Sequence, residues 1–193
     1  MPSRLLTRNS VGLQLASLFQ GQYGSTYTPT GSFESIATVS GTGSSASVTF
    51  SSIPSTYTNL QIRATVFTTS NGYGLAFQAN GDGGSNYTYH RLSGDGTSPF
   101  AGGAASQTYT QFFGYAQGTD STYPTVFVLD ILDAFNTSKY KTFKVLVGED
   151  KNGSGEVGLF SGVWMSASAI SSLTILSGMN FSTNSKFELY GVK

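Results

Sequence analysis

From Phe33 onward, apolar residues recur at every second position, and no segment of this body sustains the spacing near 3.6 that an amphipathic helix needs. Leu60, Ile62, Ala64 and Val66 alternate with Gln61, Arg63, Thr65 and Phe67, which makes residues 59 to 68 the clearest half-buried strand. Further strands are predicted at 33–39, 46–50, 74–79, 86–92, 107–115, 124–132, 140–147, 156–165, 170–177 and 185–192. Clusters of Gly, Pro, Asn or Ser bound each of them. Tyr123 to Leu132 is almost continuously apolar from Thr125, as expected of a central strand buried on both faces. Asp133 to Ser138 has room for a single helical turn.

So many short strands cannot bury their apolar sides in one flat open sheet; two sheets must pack face to face, or one must close. The expected fold is all-β, a jelly-roll-like antiparallel β-sandwich of about 8–11 strands over residues 31–193, preceded by an N-terminal extended arm and linker over residues 1–30. Composition agrees. Ser, Thr and Gly account for 76 of 193 residues, Phe and Tyr for 25, and 10% are charged, a mixture suited to short strands and tight turns. The abundance of aromatic and β-branched residues argues against disorder.

Ten basic and ten acidic residues scattered along the chain give a net charge of zero, so no footprint for a phosphate backbone is visible and nucleic acid is not an expected partner. No apolar stretch reaches the length of a membrane span. Absence of cysteine excludes disulfides and thiolate metal sites, and with one histidine a transition-metal centre is not expected. Neither a metal nor another cofactor is expected.

The arm holds Arg4 and Arg8 but no acidic residue. Its apolar residues Val11, Leu15, Leu18 and Phe19 fit helical spacing, while Val11, Leu13 and Leu15 equally fit alternation. Gln14 interrupts the apolar run and Gln20-Gly21-Gln22 makes a poor cleavage site, so a secretory signal is not expected. The functional reading is an arm that docks on a neighbouring subunit through Arg4, Arg8, Val11, Leu13, Leu15, Leu18 and Phe19.

Candidates for chemistry are few. His90 sits within a strand. Asp130 with Asp133 is read as closing an apolar strand and opening a turn, and Glu149-Asp150-Lys151-Asn152-Gly153 as a hairpin tip, in preference to paired catalytic carboxylates. Asn80-Gly81-Asp82-Gly83-Gly84-Ser85-Asn86 alternates oxygen ligands with glycine, yet Arg91 stands where a calcium loop carries its bidentate glutamate; a plain turn is expected. No catalytic residue is assigned. Aromatic rings remain as a binding resource: Tyr73, Tyr87, Tyr89 and Tyr123, with Tyr23, Tyr27 and Tyr57, lie in or beside predicted loops and suit a host-surface glycan or a subunit interface, and Trp164 suits core or interface.

Several segments resemble a β-sandwich domain common in virion proteins of environmental tailed phages. They include Ala46-Ser47-Val48-Thr49-Phe50-Ser51-Ser52-Ile53-Pro54, Ser85-Asn86-Tyr87-Thr88-Tyr89-His90-Arg91-Leu92, Ser161-Gly162-Val163-Trp164-Met165-Ser166 and the ending Phe187-Glu188-Leu189-Tyr190-Gly191-Val192-Lys193. The resemblance runs from about residue 33 to the end. It implies a non-enzymatic surface protein of the phage particle: a capsid decoration or cement protein, a spike, or a tail fibre. It also implies a homo-oligomer, commonly a trimer, with other virion proteins such as the major capsid protein as partners. The arm of only about 30 residues suits a decoration subunit or small spike better than a long fibre. The alternative is a receptor-binding tip or carbohydrate-binding module that uses loop tyrosines.

Overall fold

A computed structural model describes residues 32–70, 74–113 and 122–193, and the arm residues, Tyr23, Tyr27 and Tyr73 lie outside them. Ser32 to Lys193 forms one unit. Twelve strands succeed one another: β1 (Phe33–Ser40), β2 (Ser47–Phe50), β3 (Asn59–Val66), β4 (Leu75–Ala79), β5 (Tyr87–Gly94), β6 (Pro99–Gln107), β7 (Thr110–Phe113), β8 (Thr125–Leu132), β9 (Lys141–Asp150), β10 (Gly155–Trp164), β11 (Leu173–Ser177) and β12 (Lys186–Val192). No helix occurs among the described residues, so none is present there to cross a membrane.

The strands form two antiparallel sheets, an eight-stranded one in the order β1-β12-β3-β8-β9-β10-β5-β6 and a four-stranded one in the order β2-β11-β4-β7. The chain passes from β2 in the small sheet to β3 in the large one, back to β4, then to the pair β5 and β6, to β7, and to β8. That alternation is a jelly-roll succession, with the β9–β10 hairpin inserted between β8 and β5. The predicted all-β sandwich is therefore present.

Period-two burial builds the core. Phe143, Val145 and Val147 of β9, Phe127, Leu129 and Ile131 of β8, and Ile62, Ala64 and Val66 of β3 face Phe77, Phe112, Leu173 and Ile175 of the small sheet. Phe77 and Phe143 meet edge to face across the two sheets at 4.7 Å, as do Phe112 and Phe127 at 5.0 Å.

Four expectations are corrected. Pro99–Gln107 was not predicted as a strand, because its Phe-Ala-Gly-Gly-Ala-Ala run lacks both alternation and β-branched residues; pairing with β5 makes it the sheet edge. The strand predicted over 107–115 is divided: Gln107 ends β6 and β7 begins at Thr110, while residues 114 and 115 lie outside the described residues. β8 is central but not buried on both faces: Val126 and Leu132 are about half exposed on its outer side. Finally, Asp133 to Ser138 is a turn rather than a helical turn, with Asp133 at φ 51° and the Asn136 amide bonded to the Asp133 carbonyl at 3.0 Å.

Candidate interaction surface

The outer side of the large sheet carries the surface with the most unusual chemistry. Strand register sets its rows. Arg63, Val128, Leu146, Leu159, Leu92 and Ala101 lie side by side across β3, β8, β9, β10, β5 and β6. One step along the strands, Thr65, Val126, Gly148, Val157, Gly94 and Pro99 form a second row. Leu92 and Val157 are each 59% exposed, Leu146 56%, Leu159 53% and Val126 47%. These five side chains present on the order of 500 Å² of apolar surface in one patch, toward the upper end for a monomer.

The second row alternates ridge and hollow. Val126 and Val157 stand up, while Gly148 and Gly94 leave gaps between them, and an open groove of about 670 Å³ runs past Val126, Gly148, Val157 and Gly94. Packing inside the chain does not demand glycine at either gap. A Cβ at Gly148 would find its nearest neighbour, the Glu156 carbonyl oxygen, at 3.8 Å, and one at Gly94 would meet the Ser98 carbonyl oxygen at 3.6 Å. Gly162 contrasts with both: on the inner side, a Cβ there would collide with the Thr88 carbonyl oxygen and with Cζ of Phe143.

Away from the patch the outer side mixes polar groups with single exposed apolar side chains such as Leu132 and Phe33. The Arg63 guanidinium lies between the rings of Phe33 and Tyr190, at 5.4 and 5.2 Å, and donates to Oε1 of Gln61 at 2.7 Å. Gln61 in turn donates to Oδ1 of Asp130 at 2.6 Å. The Lys186 ammonium next to Glu188 holds that carboxyl below its ordinary value and is itself raised.

The structure separates the aromatic candidates. Tyr87 and Trp164 are core residues and present no ring to a ligand. The Trp164 side chain is 2% exposed and its Nε1 donates to Oδ2 of Asp82 at 2.7 Å. Tyr87 accepts from the Ala79 amide at 3.0 Å and donates to the Asp82 carbonyl at 3.1 Å; burial raises its hydroxyl to about 12. Tyr89 and Tyr123 are half-buried, one near the start of β5 and the other ahead of β8, beyond the far end of β5, so they form no common platform. Tyr57 lies on Gly191, with its hydroxyl donating to Glu34.

Asp82 explains the glycine-rich loop. Besides Trp164, its carboxylate accepts from Nδ2 of Asn86 at 2.9 Å and from the Gly84 amide at 2.8 Å. Those donors, Trp164 foremost, hold its carboxyl below the ordinary 3.8, and N–H groups occupy oxygens that a cation would need. The sequence did not single out this residue, because its partner Trp164 is distant along the chain.

The carboxylates Asp130, Asp133 and Asp150 have structural partners. Asp130 is not at a turn but inside β8, bonded to Gln61, with Nζ of Lys144 at 3.6 Å. Asp133 pairs with Lys139 at 2.6 Å. Asp150 closes the β9–β10 hairpin, where Lys151 donates to the Ser154 carbonyl at 2.7 Å and Asn152 and Gly153 take positive φ, as a hairpin tip requires. His90 stands exposed on the outer side, between Ser161 and Gly103. Among the described residues, no three His, Cys, Asp or Glu side chains gather in a way that could hold a metal ion.

Fold and surface define the class, a two-sheet jelly-roll-like β-sandwich with one apolar outer side. Comparison with protein-family models, with curated proteins and with solved structures finds no match for the chain.

Proposed function

We propose that this chain is a structural subunit of a particle surface, of the tailed-phage kind its sequence resembles, and that it works by packing rather than by chemistry. One observation supports the reading above the others: the apolar patch across β8, β9, β10 and β5, which water alone would face if the chain acted singly. A subunit that buries this patch only in the assembled lattice stabilises the particle by mass action. The net charge of zero fits the same picture, since it provides little repulsion between copies. In this account the sandwich is a capsid decoration or cement subunit, and the arm with Arg4, Arg8 and Val11 to Phe19 grips the shell or a neighbouring subunit.

The test is to label the chain on purified particles and count its copies by mass-resolved imaging. Many regularly spaced copies on the head support the decoration role. A few copies at the tail would replace it with receptor binding, and particles that lack the chain would end the structural reading. Removal of residues 1–24 should leave a folded domain that no longer joins particles; normal incorporation would refute the role of the arm.

A further inference from the structure

We propose that the apolar outer side of the large sheet is a homodimer interface, in which a second copy of the chain packs face to face about a two-fold axis running along the strands between β9 and β10. The inference rests on the reading that the chain acts within an assembly, and it names the occupant of the patch. Its ground is self-complementarity. A two-fold axis in that position reverses the strand order opposite the first copy, so β8 faces β5 and β9 faces β10 of the second copy.

Consider the row Val126, Gly148, Val157, Gly94. After the rotation, Val126 faces Gly94 of the second copy and Val157 faces Gly148, so each ridge meets a hollow, four times over. Alternation of large and small side chains is how two packed sheets interdigitate at their usual separation of about 10 Å. In the next row, Leu146 faces Leu159 and Val128 faces Leu92, apolar against apolar. One row further, Asp130 faces His90 of the second copy and Lys144 faces Ser161, so no like charges are opposed. The same axis therefore satisfies shape, polarity and charge in three successive rows.

The area is adequate. Two patches of roughly 500 Å² remove about 1,000 Å² from water through the ten large side chains, and the small residues between them bring the total toward the roughly 1,600 Å² of a standard interface. Gly94 and Gly148 gain a purpose, since the fold itself leaves room for a Cβ at both. A threefold ring uses heterologous contacts and would leave the matching of valine to glycine unused.

The full chain tests this by sedimentation equilibrium together with Gly148→Val. The valine fills the hollow that receives Val157 while keeping the surface apolar, so it should weaken pairing at least a hundredfold with an unchanged circular dichroism spectrum. Leu146→Lys with Leu159→Lys should abolish pairing. Because the chain has no cysteine, Ser161→Cys offers a single reactive site that a short bis-maleimide should link into dimers, whereas Thr49→Cys on the small sheet should not link. A wild-type monomer, a trimer mass, or a Gly148→Val dimer as tight as wild type would each overturn the proposal. A monomer that still decorates particles would sink the pair alone, and a dimer missing from particles would sink only the particle reading.

Discussion

Asp82 offers the sharpest test of how the loop after β4 is held. Its carboxylate is the acceptor for a buried indole N–H, a half-buried side-chain amide and a backbone amide. Replacing Asp82 with Ala strands Nε1 of Trp164 inside the core, which costs about 1–3 kcal/mol for a buried donor left unpaired. The Asn86 and Gly84 donors can turn to water and add less, so the total should be about 3 kcal/mol. Asp82→Asn keeps an acceptor but loses the charge, and should cost about half as much. For a domain of this size, 3 kcal/mol corresponds to a fall in Tm of about 6–12 °C. Urea denaturation of Asp82→Ala, Trp164→Phe and the double variant should give a coupling of about 1.5–3 kcal/mol, as for a hydrogen bond to a charged acceptor. The sign with pH is also fixed. Because the folded carboxyl lies below 3.8, the unfolded chain takes up the proton first; the stabilisation is complete above that value and is lost as pH falls through the folded one. Asp82→Ala should therefore flatten the acid limb of the stability curve below about pH 4. A cost under 0.5 kcal/mol, or an unchanged acid limb, would refute this account.

Further predictions follow from contacts of the same kind. Tyr87→Phe removes the acceptor of the Ala79 amide inside the core and should cost about 1–2 kcal/mol by urea denaturation. Gly162→Ala places a methyl group against the Thr88 carbonyl and Phe143, and should lose about 1–3 kcal/mol or more, whereas Gly148→Ala should leave stability within about 0.5 kcal/mol. Lys141 is buried, with Nζ donating to the carbonyls of Asn136 and Lys139; Lys141→Ala should cost about 2–4 kcal/mol and increase amide exchange over Asp133 to Lys139.

Much of the fold was legible because burial in a sandwich imposes a period of two. Strands whose inward residues are branched or aromatic, such as β3, β9 and β12, announce themselves. β6 does not, since an edge strand whose interior from Ala101 to Ser106 is only Ala, Gly and Ser has no apolar rhythm and owes its conformation to pairing with β5. The continuous apolar run of β8 suggested burial on both sides, but its outward Val126 belongs to the surface patch and its outward Leu132 is also about half exposed, and a single strand cannot show whether its outer side is covered. The patch itself was invisible for a related reason. Val126, Gly148, Val157 and Gly94 become one row only when four strands take their register. Tyr87 looked like a binding residue from its place beside a predicted loop, while Trp164, read as core or interface, is indeed core. Their burial follows from Asp82, which draws the loop inward over them.

The most direct test of the central claim is hydroxyl-radical footprinting of Leu92, Leu146 and Leu159 in the native assembly and in the dilute single chain. The account predicts strong protection of all three in the assembly, together with reactivity in the single chain that matches their half-exposed state. Equal reactivity in both states would mean that the patch stays in water while the protein works, and would contradict the claim.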